Sequence, residues 1–153
     1  MTPYGVSIFC DDIRFEQQNK FSLIGCYGPE LIIYAPPPVG LPKLGILVQA
    51  RFPLERLPTI KLNIFMPDEK EPFYTQELLQ EEQDFKPSEA FQRDTDAAKD
   101  IEGQRALIFP FVFTPFVVSR TGYIRVRMLY GDSTIRVGSL KVSYQPAAPI
   151  AQG

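Results

Sequence analysis

Hydrophobic and polar residues alternate along most of this chain. In one clear run every second residue is apolar, at Leu44, Ile46, Val48, Ala50 and Phe52. Successive side chains of an extended strand point to opposite faces, so a period of two predicts a strand with one buried face. The run therefore predicts a strand over residues 44–52 that packs this face against a core.

The same alternation recurs at short intervals elsewhere in the chain. Further strands are predicted at residues 4–10, 21–27, 31–35, 60–64 and 124–130, with another within residues 73–85. Turn-forming residues separate these segments at a spacing typical of an all-β sandwich or barrel. We predict a single antiparallel β-sandwich, immunoglobulin-like or C2-like, with about eight or nine strands over residues 1–144.

One hairpin is specified in detail near the C-terminus. The pair Gly131-Asp132 separates two alternating segments and predicts a two-residue turn, because glycine adopts positive φ without strain. After Val137 the apolar positions change from odd to even numbers. One extra residue in a strand resets its register, so we predict a β-bulge at Gly138-Ser139, in which Gly138 takes a backbone conformation that is costly for other residues.

This register predicts a basic sheet face made of Arg125, Arg127, Arg136 and Lys141. Arg127 is expected directly opposite Arg136, and like charges in that position are unfavourable by some tenths of a kcal/mol. The face therefore requires a negative partner. The chain's own acidic segment is the favoured partner, and an acidic surface of another protein or a nucleic acid is the alternative.

The acidic segment covers residues 66–102, which contain twelve acidic and four basic residues. It predicts a long, solvated surface loop, with one short helix near residues 96–102. A pair of its carboxylates could also cleave glycosides, but the separation of the carboxylates decides that chemistry. Three more acids, Asp11, Asp12 and Glu16, are interpreted as a polar turn rather than a calcium site.

Residues 107–118 are apolar on both faces of the predicted strand and contain Pro110 and Pro115. Proline cannot donate to a central ladder, so we predict an edge strand. Phe109, Phe111 and Phe113 are expected in the core. Either the proline-rich connector at residues 35–42 or the C-terminal tail covers the other face, or the face is a subunit interface. The interface candidates are Ile108, Pro110, Val112 and Phe116.

Composition limits the chemistry that this chain can perform. Its 153 residues carry a net charge of −2 and include no histidine and two cysteines. The Ser-His and Cys-His nucleophile pairs are therefore excluded, and two thiols cannot complete a tetrahedral zinc site. We expect no catalytic residues, no cofactor and no metal. Cys10 and Cys26 are expected as free thiols, with a disulfide as the alternative.

The terminal segments and the longest apolar runs predict where the protein is located and how it ends. The first residues lack the basic and apolar regions of a signal peptide, and no apolar run approaches the roughly 20 residues that span a bilayer. We expect a protein made in the cytoplasm, with no membrane contact. Residues 145–153 have the composition of a linker and are predicted to form an extended tail.

Residues 6–27 contain a motif of a strand, a polar turn, a lysine and a second strand. The motif consists of Phe9-Cys10-Asp11-Asp12 followed by Asn19-Lys20-Phe21-Ser22-Leu23-Ile24-Gly25-Cys26-Tyr27. It resembles the opening of an uncharacterised family of small β-rich domains found in bacteria and tailed phages. That family usually has glycine where Asn19 stands, and asparagine also tolerates left-handed φ. The resemblance implies a β-sandwich and no catalytic residues.

These observations favour a non-enzymatic structural or interaction module. The best hypothesis is an accessory protein of a phage particle, in capsid decoration or in the tail, that contacts other protein subunits, either its own copies or virion proteins. No direct contact with nucleic acid is expected. The alternative is a carbohydrate- or ligand-binding β-sandwich using Tyr27, Tyr34, Phe73 and Tyr74. An enzyme with paired carboxylates ranks third.

Overall fold

A computed structural model describes residues 2–54, 56–79 and 104–146. The described part of the chain contains eleven strands and a 3-10 turn at Gln17–Asn19, which confirms the all-β class. The strands are β1 (Tyr4–Phe15), β2 (Phe21–Cys26), β3 (Glu30–Ile33), β4 (Val39–Leu41), β5 (Leu44–Pro53), β6 (Ile60–Phe65), β7 (Tyr74–Leu79), β8 (Gln104–Phe113), β9 (Phe116–Val118), β10 (Gly122–Tyr130) and β11 (Ser133–Tyr144).

The strands form three sheets. Four strands pair in the order β2-β1-β5-β8, five pair in the order β3-β11-β10-β6-β7, and β4 pairs with β9. All pairs are antiparallel except β3 with β11, which is parallel, so the expectation of a purely antiparallel fold is wrong. These two strands are far apart in sequence, so no tight turn forces them to run in opposite directions.

The two larger sheets contribute to one hydrophobic core. Alternation decides which side chains enter it, since Ile60 and Leu62 are buried while Lys61 between them is exposed. Phe52 of the four-stranded sheet stacks on Tyr130 of the five-stranded sheet, with ring centroids 5.6 Å apart. Each larger sheet therefore has one face on the shared core and one face directed away from it, and we call the latter its outer face.

The C-terminal hairpin has the predicted turn, and its bulge lies one residue earlier than predicted. Gly131 has a φ of 57°. Arg127 pairs with Arg136, and Val126 pairs with Gly138, so Val137 is the extra residue. Gly138 does not adopt positive φ, and the expectation that its backbone conformation requires glycine is wrong.

Other local expectations also change. The Asp11-Asp12 segment lies inside β1 and does not form a turn, because the strand continues to Phe15 and pairs there with β2. The proline-rich connector contains β4, whose pairing with β9 was not expected. Asn19 has a φ of 56°, which confirms the left-handed turn before Lys20.

Several expectations fall outside the described residues. They are the short helix near residues 96–102, most of the acidic loop, and the tail beyond residue 146. In the described ranges, no helix is long and apolar enough to cross a membrane. Both cysteines are free thiols, Cys10 buried and Cys26 exposed, and they are partners across β1 and β2.

Candidate functional site

Strand β8 lies at the edge of the four-stranded sheet, as Pro110 within it predicts. Phe111 is buried in the shared core, and Phe109 and Phe113 pack against it half-buried. The alternate residues point the other way, and Ile108 and Val112 remain 48% and 39% exposed. The segment therefore has the two apolar faces that the sequence predicts.

The register of three strands joins these exposed residues to apolar residues of β1. Val6, Gln49 and Ile108 form one row across β1, β5 and β8, and Val6 is 53% exposed. In the next row Leu47 lies between two further apolar residues. We call this surface the apolar face, and it consists of Val6, Ile8, Ile108, Pro110 and Val112.

The apolar face occupies only part of the outer face of the four-stranded sheet. The β1–β2 hairpin covers the part next to it. Ile13 and Cys10 are buried together with Leu47, although they are three residues apart in β1, so the strict alternation is interrupted between them. The proline-rich connector does not cover the apolar face, because its Val39 and Leu41 pack against the shared core. The tail beyond residue 146 is outside the described residues.

Phe116 does not belong to an exposed interface. It is only 1% exposed, and its ring contacts Phe73 and Phe113 at centroid distances of 5.6 and 5.8 Å. The chain leaves β8 after Phe113 and begins β9 at Phe116, and the new strand places Phe116 and Val118 inward. The expectation for Phe116 is wrong because alternation cannot be continued across this turn.

The four predicted basic residues share the outer face of the five-stranded sheet. Arg127 is opposite Arg136, Arg125 is two positions along β10, and Lys141 is opposite Tyr123. The apolar residues between them, such as Val126, are buried on the other side. We call this surface the basic face, and it consists of Arg125, Arg127, Arg136 and Lys141.

Acidic partners lie at the two borders of this face. Lys141 Nζ is 3.5 Å from Glu30 Oε1, and Ser143 donates a hydrogen bond to the same oxygen. The hydrogen bond from Ser143 and the charge of Lys141 lower the pKa of Glu30. At the other border, Lys61 of β6 lies 4.0 Å from Glu77 of β7.

The three arginines of the basic face have no such partner among the described residues. Arg127 Nη1 donates to the carbonyls of Val126 and Gly138, at 2.9 and 3.3 Å. Arg125 donates to the backbone carbonyl of Glu69, and its guanidinium carbon lies 4.9 Å from the ring centroid of Phe65. Burial, and then the charges of the other two arginines, lower the pKa of Arg127.

The expected carboxylate beside the arginines is therefore not found in the described part of the acidic segment. Within residues 66–79, Glu69 reaches Arg125 only through its backbone, and Glu77 pairs with Lys61. Residues 80–102 lie outside the described ranges. The intramolecular explanation of the basic face stays a prediction.

Structural contacts engage the three acids Asp11, Asp12 and Glu16. Tyr27 donates a hydrogen bond to Asp11, and burial together with this bond raises the pKa of Tyr27. Asp12 Oδ2 is 3.5 Å from Lys43 Nζ, and Glu16 accepts a hydrogen bond from Ser22. Within the described ranges no cluster of acids, cysteines or histidines could hold a metal ion.

The aromatic residues suggested for ligand binding do not form one surface. Tyr27 bonds to Asp11, Tyr34 lines a cleft with Tyr144, and Tyr74 packs on Phe111. Phe73 lines a separate open cavity of about 380 Å³, whose other lining residues are Met66, Pro67, Glu69, Glu71, Pro72, Ser119 and Arg120.

Sequence reasoning missed the contribution of β1 to the apolar face. Val6 and Ile8 alternate with inward-facing residues and look like ordinary strand residues. Their position beside β8 depends on the long-range pairing of β1 with β5, which is not encoded locally.

No protein-family model, no curated protein and no solved structure matches this chain.

Proposed function

We propose that this chain is a non-enzymatic structural module that associates with other protein subunits through the apolar face. In this proposal the two larger sheets are the layers of one β-sandwich. The observation that carries the proposal is the apolar face itself, where the exposed Val6 and Ile108 lie in one cross-strand row and the half-buried Ile8 and Pro110 lie in the next. The tail and the long acidic loop are connections outside these layers.

Single exposed hydrophobic residues are ordinary, but contiguous ones on a sheet mark a contact surface. Val6 and Ile108 flank Gln49 in one row, and the neighbouring row contains Ile8 and Pro110. β8 is also an edge strand, and exposed apolar edges promote association unless they are covered. A second protein surface bound to this face would bury the exposed apolar residues and cover the edge strand.

A second copy of this chain is the occupant that fits this face. A twofold contact places the same patch on both subunits, so the patch must be compatible with itself. The apolar face has no charged residue, and Gln49, which lies between Val6 and Ile108, can donate and accept hydrogen bonds. The basic face, which would repel its own copy, is on the outer side of the other sheet.

Sedimentation velocity tests this association. We expect wild-type protein to form dimers that dissociate on dilution, and Ile108→Asp to remain monomeric because a carboxylate would be buried in the contact. Val117→Asp is the matched control, since Val117 is 49% exposed but lies on β9. A monomer at every concentration, or equal loss of dimer in both variants, would contradict the proposal.

The proposed setting of this module is a phage particle, either on the capsid or in the tail. It is supported by the resemblance of residues 6–27 to a family found in bacteria and tailed phages. Mass spectrometry of purified virions tests it. The chain should be present in stoichiometric amount, and its absence from washed particles would contradict this setting.

A ligand-binding function is the second candidate, and the cavity beside Phe73 favours it. Its volume of about 380 Å³ falls in the range of small-molecule sites, and it combines an exposed ring with Arg120 and Glu71. An NMR titration with mono- and disaccharides tests it. Shifts confined to this cavity, and lost in Phe73→Ala, would support binding, whereas an unchanged spectrum would exclude these sugars as ligands.

A further inference from the structure

We propose that the basic face binds a short acidic peptide segment of a partner protein. This inference concerns the outer face of the five-stranded sheet and does not depend on association through the apolar face. Its basis is the direct opposition of Arg127 and Arg136 across β10 and β11. Like charges directly opposite each other on a sheet repel, and an anion bound between the two guanidinium groups would make the arrangement favourable.

The arginines retain donors for such an anion. A guanidinium group has five N–H donors, and the hydrogen bonds of Arg127 to Val126 and Gly138 both use Nη1. Arg136 is exposed and has no carboxylate partner among the described residues. Two neighbouring guanidinium groups can therefore each offer a planar pair of donors, which matches the geometry of a carboxylate.

Arg125 is held in a fixed position beside this pair. Its guanidinium group lies over the ring of Phe65 and donates to the carbonyl of Glu69. A group that is already oriented loses less conformational entropy when it binds a ligand. The exposed ring of Tyr123, one row further along β10, offers an apolar contact to the same peptide.

The extent of the positive surface favours a peptide over a nucleic acid. Glu30 neutralises Lys141 at one border, and Glu77 neutralises Lys61 at the other. Three arginines remain between these borders, and the whole chain has a net charge of −2. Nucleic-acid binding relies on many phosphate contacts along a basic track, whereas a few carboxylates suffice for a peptide.

Fluorescence anisotropy at low salt tests the proposal. The probe is a labelled peptide of alternating glutamate and glycine, and the same peptide with glutamine is the uncharged control. We expect the acidic peptide to bind and the glutamine peptide not to bind. Added salt should weaken the binding, because the contact is exposed and screened.

Arg136→Gln is the informative variant, because Arg136 is exposed and its replacement does not disturb the core. We expect a loss of affinity of about tenfold. The matched control is Arg14→Gln, which removes the same charge from an exposed position on β1 and should leave the affinity unchanged. The thermal midpoint of Arg136→Gln should equal or exceed that of wild type, since the like-charge opposition is removed.

Three results would overturn the proposal. Equal weakening by Arg14→Gln would show that only net charge matters. Tighter binding of a single-stranded DNA of equal charge would make the face a nucleic-acid site. A lower thermal midpoint in Arg136→Gln, together with no peptide binding to wild type, would show that the chain's own acids already occupy the face.

Discussion

Gly138 of β11 lies so close to Ser7 of β1 that a Cβ atom at position 138 would be 2.6 Å from the Cβ atom of Ser7. The same two strands approach closely at a second position, since a Cβ atom at Gly5 of β1 would lie 2.8 Å from Cγ1 of Val137 of β11. The four-stranded and five-stranded sheets therefore approach each other closely along β1 and β11. Glycine is required at position 138 by space and not by backbone conformation.

We expect Gly138→Ala to destabilise the protein by about 1–3 kcal/mol, the usual range for an overpacked site. Denaturant unfolding measures this change. Gly28→Ala is the matched control, because no atom lies within 4 Å of a Cβ at that position. The double variant Ser7→Gly with Gly138→Ala should recover part of the loss, and strict additivity would show that the two positions are not in contact.

Truncation of Phe116 should reduce the stability of the fold far more than truncation of Ile108. Phe116→Ala should lower the free energy of unfolding by about 3–5 kcal/mol, because it leaves a cavity between Phe73 and Phe113. Ile108→Ala should change it by less than about 0.5 kcal/mol, since its side chain is on the apolar face. Urea denaturation of dilute monomer compares the two. Similar losses would mean that Ile108 is also part of the core.

The two thiols should differ in reactivity. Burial raises the pKa of Cys10 to about 11, so this thiol stays protonated at mildly alkaline pH, and only thiolates attack a disulfide reagent. We expect one reactive thiol per native chain and two in denaturant, with none in native Cys26→Ala. The raised pKa also stabilises the fold below the ordinary value of 9.0, a contribution lost as the pH rises through about 11. Two rapidly reacting native thiols would contradict this placement.

Glu30 should contribute to stability at neutral pH and lose this contribution in acid. Its pKa lies below the ordinary value of 4.5, chiefly because Ser143 donates a hydrogen bond to it. The contribution is therefore complete above that value and is lost as the pH falls through the lowered pKa. In Glu30→Gln, the decrease in unfolding free energy below about pH 5 should be shallower than in wild type. An unchanged slope in Glu30→Gln would remove the basis of this assignment.

The sequence was sufficient to predict the pairing of β10 with β11 because several local signals agree. The turn at Gly131 sets the register, alternation sets the faces, and the parity change after Val137 requires one extra residue. The bulge was predicted at Gly138, one residue after its observed position at Val137, because either position leaves the same apolar residues on the core side. The close approach of Ser7, which explains Gly138, is a contact between distant segments.

The candidate surfaces were predictable to different degrees for the same reason. The basic face lies within one hairpin, so local register was enough to place Arg127 opposite Arg136. The apolar face joins β1 to β8 through β5, and only the tertiary pairing reveals that Val6 and Ile108 share a row. The parallel direction of β3 was also beyond local patterns, since alternation is identical in parallel and antiparallel strands.

The most direct test of the apolar face as a subunit contact is the reactivity of a cysteine placed within it. In a Cys26→Ser background, Ile108→Cys and the control Val117→Cys start from nearly equal exposure, 48% and 49%. We predict that raising the protein concentration slows the labelling of position 108 and leaves position 117 unchanged, because only position 108 becomes buried between subunits. Equal labelling rates at both positions at every concentration would contradict the proposed contact.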